Sequence, residues 1–179
     1  MINKALQAAI RLHNGQKRKL GNYDYVIHPI EVGISLAKQN EKDEVIVAAI
    51  LHDTIEDTEY TYEKICSDFG KSIADMVLGC SELDKKLSWK ERKLHTINHL
   101  KDETSMEVKK IICADKLNNL KSVLKFSNDE DKKEIWHSFN AGYDDQKWYY
   151  SEIIKILKDD LDGYALYEEL KVIYFLIFK

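Results

Sequence analysis

The chain has 179 residues and a net charge of −4, and 44% of its residues are hydrophobic while 32% are charged, which is typical of a folded globular protein. One proline and seven glycines are too few for the turns of a small β-sandwich or barrel, and they also exclude Pro-rich and Gly-rich linkers. The acidic balance argues against a general nucleic-acid-binding protein.

Helical periodicity runs through the N-terminal half, where apolar residues recur at three- and four-residue steps. It predicts an amphipathic helix over residues 3–14 and then a polar loop over residues 15–27. A second helix is predicted to begin at Pro29, because proline is tolerated at the first helical position. The apolar segment at residues 44–53 predicts a buried helix, with a β-strand as the alternative. Two more helices are predicted, from Thr61 to Gly70 and over residues 71–80.

The C-terminal half is predicted to be helical as well. Ser88 and Glu91 have the spacing of a capping box, which predicts a helix over residues 89–100. Apolar stripes predict three more helices, over residues 106–125, 131–158 and 160–178. We therefore expect an all-α bundle of about eight to nine helices. We expect one domain over residues 1–179, with a motif-bearing core at 11–120 and C-terminal helices at 131–178 packed against it.

Location and assembly can be predicted only in outline. The three cysteines lack CxxC spacing, and the N-terminus lacks the apolar segment of a secretory signal, which together predict a reducing, cytoplasmic environment. No apolar stretch is long enough to span a membrane. The apolar end at residues 172–178 is interpreted as a helix docked on the core, with a dimer contact or a partner surface as the alternative. We expect a monomer or a small homo-oligomer.

The segment HDTIED at residues 52–57 carries most of the chemical information. His52 and Asp53 end a buried apolar helix, and Glu56 and Asp57 follow them at i+4, so each pair shares a face if the helix continues. Buried charges must be paired or bound to a metal. An HD dipeptide alone occurs often by chance, but this fourfold pattern is far more specific.

Two further residues fit the same site. His28 follows an aromatic loop, and Asp115 lies within an apolar helical stripe. With His52 and Asp53 they would form a mixed nitrogen and oxygen site, which suits Mn²⁺, Fe²⁺, Zn²⁺ or Mg²⁺. Such an ion would activate water for attack on a phosphorus atom, with Glu56 and Asp57 as acid–base groups. The residues alone therefore favour metal-dependent phosphohydrolysis.

Basic and aromatic residues offer candidate substrate contacts. Arg18 and Lys19 lie in the loop that leads to His28 and can reach a polyphosphate bound there, although a solvated turn is the simpler interpretation. A second basic stretch, at residues 84–93, includes Lys85. Trp148, followed by two tyrosines, is either core packing or a surface for stacking a base.

The order of these motifs resembles a known family. His13-x-Gly15-Gln16-x-Arg18-Lys19, Tyr25 with His28 and Pro29, HDxxED at 52–57, and ADKLxNL at 114–120 resemble the HD-superfamily hydrolase domain of RelA/SpoT homologues. The similarity is greatest to the stand-alone small alarmone hydrolases. It covers about residues 3–155 in order, and further similar stretches occur at 80–93 and 139–150.

The resemblance implies an all-α HD fold that removes the 3′-pyrophosphate from (p)ppGpp, a reaction of the stringent response. It implies a metal ion, usually Mn²⁺, and a catalytic pair formed by Glu56 and Asp57. The implied ligands are His28, His52, Asp53 and Asp115. The implied substrate contacts are Arg18, Lys19 and Asn119, and the sequence adds Tyr25, Lys85 and Trp148 as candidate substrate contacts.

The sequence departs from the family pattern at two positions. Asp24 stands where most relatives have proline, and Asn118 stands where the family has histidine. Both changes lie near the expected site. They bear on base preference and affinity more than on metal binding.

Three alternatives remain open at this point. The same metal and basic loop would serve a phosphatase or pyrophosphohydrolase acting on another nucleotide, such as ppApp or NADPH. A non-catalytic nucleotide-binding module is a further alternative, although it would have no use for Glu56 and Asp57. Nucleic-acid binding is disfavoured, since the chain has no continuous basic stripe.

Overall fold

The structure is a computed structural model that describes residues 1–82, 86–103, 105–127 and 134–179. The described residues form α1 (Ile2–Leu12), α2 (Ile27–Ala37), α3 (Asp43–Leu51), α4 (Thr54–Asp57), α5 (Tyr62–Phe69), α6 (Lys71–Cys80), α7 (Trp89–Asp102), α8 (Met106–Phe126), α9 (Tyr143–Leu161) and α10 (Ala165–Ile177). A 3₁₀ helix covers Glu134–Ser138. Nine α-helices are longer than the single turn of α4, so the predicted all-α class is confirmed. Within the described ranges, no helix has the length and apolar character needed to cross a membrane.

Helix α8 is the central element of the bundle. It packs against α2, α3, α6, α9 and α10, and its apolar side chains from Val108 to Val123 are buried. Two lysines fix its position: Lys109 donates to Asp160 at the end of α9, and Lys110 pairs with Glu41 after α2. Because α8 also carries Asp115, these contacts set the position of one side of the candidate site.

Helices α2 and α3 pack closely because α2 contains Gly33. A Cβ atom added at Gly33 would lie 2.6 Å from Cγ1 of Ile50, so only glycine fits without a shift. This close approach brings His28, in the first turn of α2, to His52, directly after α3. The two imidazole centroids are 5.2 Å apart.

Several predicted helix ends are confirmed. Ser88 and Glu91 form a complete capping box at the start of α7, and the Thr61 side chain accepts a hydrogen bond from the Lys64 backbone N–H at the start of α5. Gly70, with a φ of 95°, separates α5 from α6. The apolar segment predicted at residues 44–53 forms a helix and not a β-strand. This helix covers Asp43–Leu51, so it ends two residues earlier than predicted.

Three predicted boundaries were wrong. Helix α2 begins at Ile27 rather than Pro29. Proline is tolerated within the first turn, because the N–H group that it lacks would have no partner within the helix there. The helix predicted over 131–158 begins only at Tyr143. Before it, Trp136 in the 3₁₀ helix packs against Phe139 and Phe178, and the backbone of Gly142 is extended. Residues 131–133 lie outside the described ranges. The helix predicted from residue 160 begins at Ala165, because α9 continues to Leu161 and Gly163 has a φ of 78°.

The apolar C-terminus forms the last six residues of α10 (Ala165–Ile177), which docks against α8 and α9. Ile173, Tyr174 and Ile177 are buried on its inner face. Phe175 is 68% exposed on the other face. The inner face of the segment therefore docks on the core as interpreted, whereas its other face carries the exposed Phe175.

Candidate active site

Four side chains from three parts of the fold converge at one point. The Nε2 atom of His28 lies 3.1 Å from Oδ1 of Asp115 and 3.6 Å from Oδ2 of Asp53. The Nε2 atom of His52 lies 3.1 Å from Oδ2 of Asp53 and 3.8 Å from Oδ1 of Asp115. Ligand atoms of His28, His52 and Asp53 all lie within 4.8 Å of one another, which is the spacing of a metal-ion site. Asp115 and the two histidines are buried, and Asp53 is half-buried.

The hydrogen bonds of the two imidazoles leave both Nε2 atoms facing the carboxylates. Nδ1 of His52 lies 2.7 Å from the Ala49 carbonyl oxygen, and Nδ1 of His28 lies 2.7 Å from Oδ1 of Asn118. Both partners are acceptors, so each Nδ1 carries a proton, and each imidazole in its neutral form presents a lone pair at Nε2. Nε2 of His52 is buried without a hydrogen-bond partner among the described residues. Lone pairs facing carboxylates need a positive charge between them, and the four donors fit a divalent cation.

The pKa shifts of His52 and Asp53 also indicate that the carboxylates of the site favour a positive charge beside them. Burial acts to lower the pKa of His52, but the charge of Asp53 beside it raises that pKa well above its usual value. Burial likewise acts to raise the pKa of Asp53, and His52 outweighs it and holds the pKa below its usual range. Without a cation the aspartates therefore hold a proton on the imidazole, and a cation would replace that proton.

Asp115 is held by its own helix. Its Oδ2 atom lies 2.7 Å from Nζ of Lys116, and its Oδ1 atom accepts a hydrogen bond from Asn119. Burial opposes the charge of Asp115, but Lys116 keeps its pKa well below the usual value. The orphan charge predicted on the apolar face of this helix thus has a partner from the next residue.

A second hydrogen-bond chain starts from Asn119. Its Oδ1 atom accepts a hydrogen bond from Arg18 at 2.8 Å, and the Arg18 guanidinium lies 5.7 Å from the ring centre of Tyr25. The Tyr25 hydroxyl in turn donates to Oδ2 of Asp53 at 2.6 Å. Burial raises the pKa of Tyr25, so it is a neutral donor at physiological pH. The basic loop and the candidate metal site are therefore physically connected.

The loop after α1 is shaped as a short hairpin. Lys17 and Asp24 form an isolated β-bridge, and Nζ of Lys17 lies 2.7 Å from Oδ1 of Asp24. Asp24, the residue found in place of the family's proline, thus closes the hairpin with an ion pair. Gln16 accepts from His13 and donates to the backbone carbonyl of Asp57, which fixes the loop to α4.

Glu56 lies beside the four donors. Burial, with the charges of Asp53 and Glu82, raises the pKa of Glu56 to about 7, which suits a group that exchanges protons at neutral pH. Its Oε2 atom accepts a hydrogen bond from the backbone N–H of Glu82 at 3.2 Å. The Asp57 backbone N–H donates to the Asp53 carbonyl, so the i+4 relation holds for this pair. The helix does not continue through residues 52–57 as one element, because α3 ends at Leu51 and α4 begins at Thr54.

The site opens into a cavity of about 730 Å³. One wall carries His28, Asp53, Asp115, Glu56 and Asp57, and another carries basic residues of α7 and α8. Those basic residues are Arg92, Lys93 and Lys116. Glu82 organises two of them, since its carboxylate pairs with Lys93 at 2.5 Å and Arg92 at 3.3 Å and accepts from the Thr96 hydroxyl.

A second cavity of about 300 Å³ adjoins the first, and Tyr25, Lys93, Lys116 and Asn119 line both. Its walls are mainly aromatic and basic. They include Arg18, Lys19, Trp89, Trp136, Phe139, Gln146, Tyr149 and Tyr150. Within the described part of the chain, Nε1 of Trp136 and the Tyr149 hydroxyl are buried without hydrogen-bond partners. The cavity thus combines flat aromatic walls with basic side chains, which suits a heteroaromatic ring that carries phosphates.

Most of the residues singled out in the sequence meet here. The four predicted ligands and the pair Glu56 and Asp57 line or face the larger cavity, and Arg18, Lys19, Tyr25 and Asn119 line the second. Trp148 lines neither of the two cavities; it lies partly buried with Lys90 over its ring, and its neighbours Tyr149 and Tyr150 face the cavity instead. Lys85 lies outside the described residues.

Four residues with clear roles were missed from the sequence. Lys116 is half-buried and Gln146 is buried, both on helices, and a lysine beside an inward-facing aspartate was a usable signal. Glu82 and Trp136 gave no such signal, because their partners are distant in sequence.

Comparisons with known proteins show what the chain is similar to. The HD domain family model matches residues 5–141. The chain is 36% identical over 134 residues to a guanosine-3′,5′-bis(diphosphate) 3′-pyrophosphohydrolase of Aquifex aeolicus, covering 74% of this chain and 19% of that protein. It is 41% identical over 92 residues to the bifunctional (p)ppGpp synthase/hydrolase SpoT of Escherichia coli, covering 51% of this chain and 13% of that protein. The chain therefore spans about a fifth or less of these relatives.

Two solved structures match over most of their length. A protein of Listeria monocytogenes EGD-e has a TM-score of 0.73 and 36% identity, with 84% of this chain and 93% of that chain covered. A metazoan orthologue of SpoT, described as hydrolysing ppGpp, has a TM-score of 0.78 and 28% identity, with 98% of this chain and 94% of that chain covered. Chains of similar length therefore share this fold.

Proposed function

Because the chain belongs to the HD domain family, we propose that it is a divalent-metal-dependent 3′-pyrophosphohydrolase of guanosine-3′,5′-bis(diphosphate). The observation that carries the proposal is the convergence of two imidazoles and two carboxylates beside Glu56, whose pKa is raised to about 7. A cavity with basic walls and an adjoining aromatic cavity suit a phosphorylated nucleoside. The names of the Aquifex aeolicus relative and the metazoan orthologue support this substrate.

His28, His52, Asp53 and Asp115 would hold the metal ion. Their mixed nitrogen and oxygen donors suit Mn²⁺, which we propose as the native ion. When bound, such a cation lowers the pKa of a coordinated water and polarises a phosphoryl group.

The chain's own residues then carry the protons. Glu56 accepts a proton from the attacking water. With a pKa of about 7, a large fraction of Glu56 is ionised near pH 7, and the ionised carboxylate can take up that proton. Asp57, which lines the same cavity, orients that water. The bond between the 3′ oxygen and phosphorus breaks, the 3′ oxygen takes up a proton, and GDP or GTP leaves with pyrophosphate.

The two cavities divide the substrate between them. Lys93 and Lys116 face the phosphates in the larger cavity, and Asn119, at the boundary of the two, contacts the sugar. Arg18 and Lys19 contact the base and phosphates, and Tyr25 contributes its ring to the boundary. Tyr149, Trp136 and Gln146 receive the base. Lys85 remains a predicted phosphate contact on the sequence alone.

We further propose that the enzyme acts in the cytoplasm, where guanine nucleotides are abundant. Its three cysteines are free in the structure, which is the state expected in a reducing compartment.

The test is a turnover assay with the purified protein and Mn²⁺, offering ppGpp, pppGpp, ppApp and NADPH separately. We expect pyrophosphate release from ppGpp, abolished by Asp53→Ala and lowered about 10²- to 10⁴-fold by Glu56→Gln. Glu59→Gln is the matched control, because Glu59 is an exposed acid three residues away that lines neither cavity.

Each other outcome contradicts the proposal in a defined way. Orthophosphate release from NADPH alone would assign another nucleotide substrate, and turnover of ppApp alone would assign the adenine alarmone. Metal-dependent binding of ppGpp without turnover would indicate a binding module. Absence of bound Mn²⁺ near neutral pH would remove the basis of the mechanism.

A further inference from the structure

Asn118 connects the candidate metal ligand His28 to an exposed acid. Its Oδ1 atom lies 2.7 Å from Nδ1 of His28, and its Nδ2 atom donates to Oε2 of Glu31 at 2.9 Å. Asn118 lies on α8 and Glu31 on α2, one turn after His28, so the three groups form a chain from the surface to the site. Glu31 contacts neither cavity.

The polarity of this chain follows from Glu31. An ionised carboxylate only accepts hydrogen bonds, so the amide of Asn118 must turn its NH₂ group toward Glu31 and its carbonyl oxygen toward His28. The carbonyl in turn requires a proton on Nδ1 of His28. Nε2 of His28 is then left with its lone pair directed at Asp115 and Asp53.

We infer that Glu31 and Asn118 are positioning residues that set the tautomer of His28 for metal binding. The inference rests on the proposed metal site and goes beyond it, because neither residue touches the metal or the substrate. The backbone carbonyl of Ala49 does the same for His52 and cannot reorient. An amide can turn over, so the His28 side needs Glu31 to fix it.

Glu31→Gln tests the inference with little change in size. A glutamine at this position both donates and accepts, so Asn118 can turn over and offer its NH₂ group to a lone pair on Nδ1. If a half to a fifth of the molecules keep the competent tautomer, the dissociation constant for Mn²⁺ rises about two- to fivefold. Asn118→Leu removes the acceptor altogether and is expected to weaken Mn²⁺ binding about 10- to 100-fold.

The decisive comparison uses the Asn118→Asp background. A carboxylate at 118 accepts from His28 whichever way it turns, so Glu31→Gln should cost no Mn²⁺ affinity there. If Glu31 acted only through its charge, Glu31→Gln would weaken binding by the same factor in both backgrounds. Glu44→Gln, an exposed acid at the start of α3, controls for general loss of negative charge.

Mn²⁺ affinity is measured on the full chain by calorimetry and by the electron paramagnetic resonance signal of free Mn²⁺, with thermal unfolding to verify folding of each variant. A loss with Glu31→Gln that disappears in the Asn118→Asp background supports the inference. Unchanged affinity in Glu31→Gln or Asn118→Leu, or equal losses in both backgrounds, would overturn it. Failure of the unmodified chain to bind Mn²⁺ would instead overturn the proposed function.

Discussion

The Tyr25 hydroxyl lies 2.6 Å from Oδ2 of Asp53 and donates a hydrogen bond to it. Tyr25 thereby links the basic loop after α1 to a candidate metal ligand that belongs to a different part of the chain. The Tyr25 ring also forms part of the wall between the two cavities. Removal of the hydroxyl alone therefore separates its effect on Asp53 from the contribution of the ring.

Tyr25→Phe is expected to weaken Mn²⁺ binding by roughly tenfold, since Asp53 loses the partner that orients its carboxylate. The ring remains, so the KM for ppGpp at saturating Mn²⁺ should change by less than about threefold. This change is much smaller than the change in KM expected from removing a charged contact. Calorimetric titration with Mn²⁺ and steady-state kinetics provide the two readouts. Unchanged metal affinity with a raised KM would assign Tyr25 to the substrate alone.

The pH dependence of turnover should report Glu56. With a pKa of about 7 in the protein, Glu56 loses its proton as the pH rises through neutrality, so kcat should fall as the pH is lowered through that range. A bound cation draws the pKa down, which places the inflection at or below pH 7. The rate profile from pH 5 to 9 is compared with that of Glu56→Gln. An identical acid limb in the variant would show that another group titrates.

Arg18→Ala is expected to raise the KM for ppGpp by roughly 10- to 100-fold, the range for losing a hydrogen bond to a charged group. Mn²⁺ affinity should change little, because Arg18 contacts Asn119 and not a ligand directly. Arg11→Ala, an exposed arginine at the end of α1, is the matched control. A fall in kcat at constant KM would argue against a role in substrate binding.

Glu82→Gln should destabilise the fold by about 1–3 kcal/mol at pH 7, because it leaves Lys93 and Arg92 without their negatively charged partner. Burial opposes the charge of Glu82, but Lys93 lowers its pKa below the usual value. Its ionised form therefore stabilises the fold above the ordinary glutamate pKa, and this stabilisation is lost as the pH falls through the lowered one. Urea unfolding at pH 7 and at about pH 3 measures the free energy of unfolding of the variant and of the unmodified chain. The difference between the two free energies should be smaller at the lower pH. A constant difference would indicate a packing effect.

Gly33→Ala should lower the free energy of unfolding by about 1–3 kcal/mol, because the added methyl group would overlap Ile50. It should also weaken Mn²⁺ binding, since separating α2 from α3 moves His28 away from His52. Gly142→Ala is the matched control, since a Cβ atom there meets nothing within 4 Å. Denaturant unfolding and Mn²⁺ titration test both effects, and normal metal affinity in a destabilised variant would refute the second.

The fold was largely predictable because its helices carry local signals. The capping box at Ser88 and the glycine at position 70 mark boundaries through contacts within four residues, and the structure has both. The start of α9 was missed because the aromatic contacts of Trp136 with Phe178 are made across 42 positions of the chain. Local periodicity cannot reveal such contacts.

The same distinction applies to the site. The predicted ligands were identifiable because a histidine or aspartate on an apolar helical face requires a partner. Their supporting residues were not, because Glu82 meets Glu56 from 26 positions away and Asn118 meets His28 from 90. Asn118 was noted only as a departure from the family pattern, and its bond to His28 became visible only in three dimensions.

Helix α8 places Asp115, Lys116, Asn118 and Asn119 within five consecutive residues. Each residue of an α-helix is rotated about 100° from the preceding one. One residue inserted between Lys110 and Asp115 would therefore turn all four side chains away from their partners at once, while Lys109 and Lys110 still hold the start of the helix. A single point change weakens the contacts of one side chain only, so this stretch should accept substitutions more readily than changes in length.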